Sequence, residues 1–157
     1  MPQIGETAPD FTLPQTAPGS DLAPLTLSAL RPAPVVLYFY PKDDTPGCTL
    51  EAQDFTRLLP EFTALGARVI GVSKDSPARH QKFCAKHGLG VILVSDEGAD
   101  TCERYGTWVE KSLYGKTHMG IARTTLLIDG TGTIRQIWSK VKVAGHAAEV
   151  LEALRAI

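Results

Sequence analysis

Charge of one sign is what this 157-residue sequence conspicuously lacks: 16 Lys and Arg stand against 17 Asp and Glu, a net charge of −1. No excess is available to build a basic stripe for nucleic acid or a polybasic membrane anchor. Long apolar runs are missing as well, and none approaches the ~18–20 residues of a membrane span. The opening residues, Met1-Pro2-Gln3-Ile4-Gly5-Glu6, carry neither a cationic start nor an apolar stretch, so export is not expected. Cysteine is scarce and odd in number, with Cys48, Cys84 and Cys102 alone, which does not suit an exported disulfide framework. A cytoplasmic chain is expected, in which so few thiols serve as buried small hydrophobes, metal ligands or redox groups. Repeats, low-complexity tracts and charge blocks are absent too, so residues 1–157 read as a single domain. A domain of ~150 residues buries roughly 68–70% of its unfolded surface and needs no staples.

What is present alternates between two periods. Pro9, Pro14, Pro18, Pro24, Pro32 and Pro34 break the first third into short apolar pieces, an irregular or edge-strand lead-in. Val35–Tyr40 is a solid β-branched and aromatic run, as a buried strand requires. Beyond a loop to Gly47, apolar residues fall at Phe55, Leu58, Leu59, Phe62 and Leu65, a helical spacing that Gly66 ends and Pro60 should kink. Arg68–Ser73 predicts a second strand, and Ser76-Pro77 opens a helix that Gly88 stops. Val91–Val94 predicts a third strand, and Ala99–Tyr105 a short helix. Thr125–Asp129 and Ile134–Trp138 flank a Gly-rich turn and predict a hairpin. A closing helix presents Ala147, Val150, Leu151 and Leu154 on one face. This alternation predicts an α/β fold, a mixed sheet with helices on both faces.

Cys48 lies where the first buried strand gives way to the long helix, the edge at which open α/β folds place their ligands. In a first helical turn a sulfur faces free backbone N–H groups and the positive end of the helix dipole, and both favour thiolate over thiol. Gly47 lets backbone approach a bound oxygen closely, Pro46 fixes φ, and Thr45 offers a hydroxyl to a ligand or to the sulfur. Position alone also fits a buried cysteine beside a capping threonine.

The wider pattern narrows the choice. Pro41-x-x-x-Thr45-x-x-Cys48 resembles the peroxidatic-cysteine motif of peroxiredoxins. Tyr38-Phe39-Tyr40-Pro41-Lys42-Asp43, with Thr45-Pro46-Gly47-Cys48-Thr49, resembles the Q-type subfamily, also called bacterioferritin comigratory protein. The likeness continues at Gly5-x-x-Ala8-Pro9-x-Phe11-x-Leu13, Gly71-Val72-Ser73-x-Asp75-Ser76 and Arg123-x-Thr125-x-Leu127-Ile128. It implies a thioredoxin-like fold with an N-terminal extension, and reduction of hydrogen peroxide or organic hydroperoxides through a sulfenic acid on Cys48. It implies Arg123 as an active-site arginine, Pro41 and Thr45 as motif residues, and no metal or organic cofactor. Glu51, one turn beyond Cys48, reads equally as a partner that orients Arg123 and as a solvated helix residue.

The chain departs from part of that family. Gln53 stands five residues after Cys48, where many Q-type members carry a resolving cysteine. The family's other arrangement places that cysteine in the helix where Cys84 lies, and the spacing of Cys84 beside His80 and His87 suggests a position near the surface. Cys102 reads as packing. A zinc site of His80, Cys84 and His87 shares a helical face but lacks paired Cys-x-x-Cys spacing, and solvated histidines are the plainer expectation. A dithiol reductase would need the Cys-x-x-Cys this chain lacks, while a non-catalytic binding module has no need of the Pro41, Thr45, Cys48 and Arg123 set. The resemblance further implies a thioredoxin-type dithiol as reductant, and an internal resolving cysteine fits a monomer.

Overall fold

The computed structural model describes residues 1–17 and 23–157; Pro18 of the proline-rich lead-in falls outside them. Three two-residue strands, β1 (Thr12–Leu13), β2 (Gln15–Thr16) and β3 (Leu25–Thr26), and a 3-10 turn at Leu27–Leu30 make up the lead-in. Next come β4 (Val35–Phe39), α1 (Pro46–Ala64), β5 (Arg68–Ser73), α2 (Pro77–His87), β6 (Ile92–Ser95) and α3 (Thr101–Arg104). The chain continues through β7 (Trp108–Leu113), β8 (Lys116–Ile121), β9 (Thr124–Ile128), β10 (Ile134–Trp138) and α4 (His146–Arg155). The central sheet has six strands in the order β10-β9-β4-β5-β6-β2. Pairing is parallel for β4–β5 and β5–β6 and antiparallel for β4–β9, β9–β10 and β2–β6. This is the mixed sheet of a thioredoxin-like fold.

Both parallel steps move the same way across the sheet, so crossovers of one hand drop α1 and α2 on one face. The side chains agree. Val36, Tyr38, Val69, Leu93 and Leu127 point to that face, where Phe55 and Phe62 of α1, Phe83 of α2 and Val150 and Leu151 of α4 cover them. The alternate residues Val35, Leu37, Phe39, Ile70, Val72, Val94, Leu126 and Ile128 point the other way. Helices flank the sheet unevenly: the second face is covered by Ala8, Phe11, Leu13, Leu25 and Leu27 of the lead-in and by Cys102 and Tyr105 at α3. Gly71 of β5 is required by a close approach, because a Cβ there would lie 2.7 Å from the Tyr38 ring that crosses the strand.

Local chemistry sets the boundaries. Ser76 caps α2 by accepting the Arg79 N–H at 3.2 Å, Pro77 opens it, and Gly88 ends it in the left-handed region. Pro60 costs α1 a hydrogen bond but does not stop it, and the helix runs on to Ala64 before Gly66 turns at φ +76°. Sequence periodicity did not indicate the β7–β8 hairpin. Its turn, Tyr114-Gly115, has φ of +52° and +77°, the two positive values of the tightest hairpin turns.

Candidate active site

The loop after β4 turns through Pro41–Asp44 and enters α1 at Thr45, whose extended φ and ψ (−97°, 155°) make it the cap residue. The Thr45 side chain does not cap the helix; its Oγ1 donates to the Lys42 carbonyl at 2.9 Å. The hydroxyl hydrogen is thereby committed, and the oxygen's lone pairs remain to accept. Pro46 and Gly47 fill the first two helical positions and Cys48 the third, so the sulfur sits over the first-turn N–H groups. Cys48 is 2% exposed.

Arg123 reaches this sulfur from the short link between β8 and β9, where its carbonyl accepts the Val141 N–H at 3.1 Å. Nη2 donates to Cys48 Sγ at 3.2 Å and Nη1 donates to Glu51 Oε1 at 2.5 Å. One planar fork thus spans two residues a single turn apart on α1. Glu51 is 1% exposed and paired with Arg123, not a solvated helix residue. Its second oxygen, Oε2, is buried with no hydrogen-bond partner among the described residues. Burial raises the Glu51 pKa from 4.5 to about 7, with Arg123 opposing the rise. Burial alone would lower Arg123, but the Glu51 carboxylate and the Cys48 sulfur outweigh it and hold the guanidinium above its ordinary value. Gly47 has a definite cause: a Cβ there would stand 3.3 Å from Arg123 Nη2, tight against the fork. Pro41 lies half-buried at the end of β4 and brings no N–H donor to the loop.

The other two cysteines separate cleanly. Cys84 shares the helix-side core with Cys48, whereas Cys102 is buried on the opposite face of the sheet. All three are free thiols. The expected near-surface position of Cys84 is corrected here: it is 8% exposed, and burial followed by the Asp43 charge pushes its thiol up to about 11. Cys102 packs as expected, its thiol pushed above the usual range by burial and then by Asp96. The solvated histidines are corrected as well. His80 is fully buried against Asp43, and His87 is half-buried against Asp44, so their helix face is turned inward and not toward water. Among the described residues, the groups close enough to share an ion are Asp43, Asp75 and His80, without Cys84 or His87, so the structure does not assemble the His80, Cys84 and His87 set.

Lys111 of β7 is a neighbour the sequence did not indicate. Its ammonium donates to the Ile121 carbonyl at 2.5 Å, and burial, then the Arg123 guanidinium, lower its pKa. Nothing in an exposed hairpin sequence marks it.

A thioredoxin-like sheet with one buried thiol at a helix start, held under an arginine fork, has the make-up of a thiol oxidoreductase. Comparison with known proteins agrees. Residues 4–137 match the AhpC/TSA family. A putative peroxiredoxin bcp of Coxiella burnetii is 48% identical over 95% of this chain and 96% of its own, and a peroxiredoxin Bcp of Bacillus subtilis is 44% identical over 98% and 95%. Among solved structures, a Xylella fastidiosa PrxQ variant superposes with a TM-score of 0.89 at 42% identity, covering 98% of this chain and 96% of that one. The Xanthomonas campestris bacterioferritin comigratory protein gives 0.85 at 46% identity, covering 93% and 90%. The chain belongs to the AhpC/TSA family, as a peroxiredoxin of the Bcp, or Q, type.

Proposed function

We propose that Cys48 is the sulfur that reduces the peroxide and Cys84 the sulfur that resolves it, with hydrogen peroxide and organic hydroperoxides as substrates. The observation that carries this reading is the Arg123 fork, with Nη2 3.2 Å from Cys48 Sγ and Nη1 on buried Glu51. Cys48 attacks the terminal peroxide oxygen. The O–O bond breaks, the distal oxygen leaves as hydroxide or alkoxide and takes up a proton, and Cys48 becomes a sulfenic acid. Thr45 Oγ1, already donating to Lys42, accepts from the peroxide O–H and so orients it. Arg123 and the first-turn N–H groups of α1 stabilise charge growing on the leaving oxygen. Gly47 leaves room for the fork, Glu51 holds it in plane, and Pro41 keeps a hydrogen-bonding N–H out of the loop.

Cys84 then attacks the sulfenic sulfur, an S–S bond forms, and the hydroxyl leaves as water with the Cys84 proton. Its place in the same core as Cys48 supports this pairing, and the position of Cys102 across the sheet argues against the alternative. A thioredoxin-type dithiol returns both thiols, which suits a monomer in a reducing cytoplasm. The alkyl peroxide reduction studied in the Xanthomonas campestris relative supports the substrate class. Among the described residues, no helix is long and apolar enough to cross a membrane.

The test is peroxide consumption by the pure protein with dithiothreitol, then peptide mass spectrometry after one equivalent of peroxide. Turnover lost in Cys48→Ser, and a Cys48–Cys84 disulfide as the main product, are expected. Full activity in Cys48→Ser would sink the first assignment, and a dominant Cys48–Cys102 or intermolecular Cys48–Cys48 bond would sink the second.

A further inference from the structure

The loop that delivers Cys48 is tied to the helix that carries Cys84 by two sets of contacts, one buried and one at the surface. The Asp43 carboxylate is almost wholly buried. Its Oδ1 accepts from Tyr40 Oη at 2.6 Å, and its Oδ2 lies 2.6 Å from His80 Nδ1 on α2. The far nitrogen of that ring, Nε2, is 3.2 Å from the Val94 carbonyl of β6. A carbonyl can only accept, so Nε2 carries a hydrogen and both ring nitrogens are committed. The Asp43 N–H donates to Asp75 Oδ2, 2.9 Å away in the turn that leads into α2. One residue on, Asp44 takes the left-handed φ of +58° that aspartate tolerates better than most residues. Its two oxygens meet Lys86 Nζ and His87 Nε2 at the far end of α2, each at 2.8 Å. Two consecutive residues of the loop thus grip α2 at both ends, on either side of Cys84.

The geometry points to Asp43 and His80 as positioning residues that clasp the Cys48 loop to α2 and set the balance between the closed arrangement, which reduces peroxide, and the opened one, in which the two sulfurs join. This rests on the reading that Cys84 resolves Cys48. With the clasp closed, Cys48 faces Arg123 and both thiols are free. A sulfenic acid formed there has two fates. It can wait for α2 and the loop to part, after which Cys84 attacks and water leaves. Or it can meet a second peroxide molecule, whose oxygen it takes to become a sulfinic acid while water or alcohol departs. A tight clasp lengthens the wait, and a loose one shortens it. Asp43, Tyr40 and His80 make no hydrogen bond to either sulfur, and the substitutions below leave in place the Asp43 carboxylate whose charge acts on Cys84.

The experiment titrates pre-reduced protein with peroxide and counts Cys48 sulfinic acid against Cys48–Cys84 disulfide by mass spectrometry. Removing the partner of a buried charged hydrogen bond is worth about tenfold or more in an opening equilibrium. His80→Leu is expected to raise the peroxide concentration for half-sulfinylation by about tenfold. His80→Asn, which keeps a donor near the Nδ1 position, is expected to return most of the way to wild type. Asp44→Asn keeps the left-handed turn, weakens a surface pair without threatening the fold, and should shift the same midpoint by about two- to threefold. A midpoint unmoved in Asp44→Asn, and unmoved in His80→Leu where that variant folds, would overturn the proposal, as would a shift toward easier sulfinylation in either. Absence of the Cys48–Cys84 bond in the wild-type control would instead overturn the assignment on which it rests.

Discussion

Glu51→Gln separates the charge of a buried carboxylate from its shape. In the folded protein the Glu51 pKa rises from 4.5 to about 7. At about 1.4 kcal/mol per pH unit, that rise corresponds to roughly 3 kcal/mol between the protonated and ionised forms. Because the folded value lies above the unfolded one, the native state binds the proton more tightly. Stability is therefore highest below pH 4.5 as far as this group is concerned, and it falls as pH climbs through about 7. Glutamine cannot ionise, keeps an oxygen for Arg123 Nη1, and removes the slope. Urea unfolding in reducing buffer at several pH values between 4.5 and 8 reads the difference between variant and wild type. His146, held below the ordinary imidazole value by burial, is common to both proteins, so its contribution cancels in the difference. The variant should gain about 3 kcal/mol on the wild type across the window, while losing peroxide reduction because its fork is no longer anchored by charge. A difference that stays flat with pH would refute the reasoning that Glu51 pays for its ionisation through burial.

Arg123→Lys keeps a positive charge but cannot reach Cys48 and Glu51 together, so the second-order rate with peroxide should fall by ~10²–10³. An undiminished rate in stopped flow would remove Arg123 from the chemistry. Gly47→Ala places a methyl 3.3 Å from Arg123 Nη2 and must shift the fork by a few tenths of an ångström. A loss of up to about tenfold in the same rate is expected, with the melting temperature little changed. An unchanged rate would show that the fork tolerates the displacement.

The sequence carried the parts of this protein that depend on local rules. Val35–Tyr40 could hardly be anything but a buried strand, and Ser76, Pro77 and Gly88 marked both ends of α2. The Cys48 surroundings were legible because motif, helix start and arginine all belong to one pattern. Other features were not legible, for reasons that differ. β7 and β8 expose most of their residues and so lack the core periodicity by which strands are read. The signal that could have found them was the Tyr114-Gly115 turn. His80 looked like a marker of the wet side of α2, because its partner, Asp43, lies 37 residues away and meets it only through the tertiary packing of the loop on α2. That one pair inverted the reading of the whole helix face, Cys84 included.

The uneven flanking of the sheet has a consequence for how the chain assembles. With α1, α2 and α4 on one side, the apolar side chains of β4, β5, β6 and β9 on the other are sealed by the lead-in together with Cys102 and Tyr105 at α3. Phe11 and Leu13 share one apolar cluster with Leu126 and Ile128, Gly5 donates to the Ile134 carbonyl at 2.8 Å, and Thr7 bridges Thr133. These contacts join stretches more than a hundred residues apart, and such closures come late because the loop entropy must be spent before any contact is gained. Until they form, one whole side of a five-residue buried strand and its neighbours stands open to solvent and to other chains. The helix side, Cys48 included, can be complete while the molecule as a whole is still sticky.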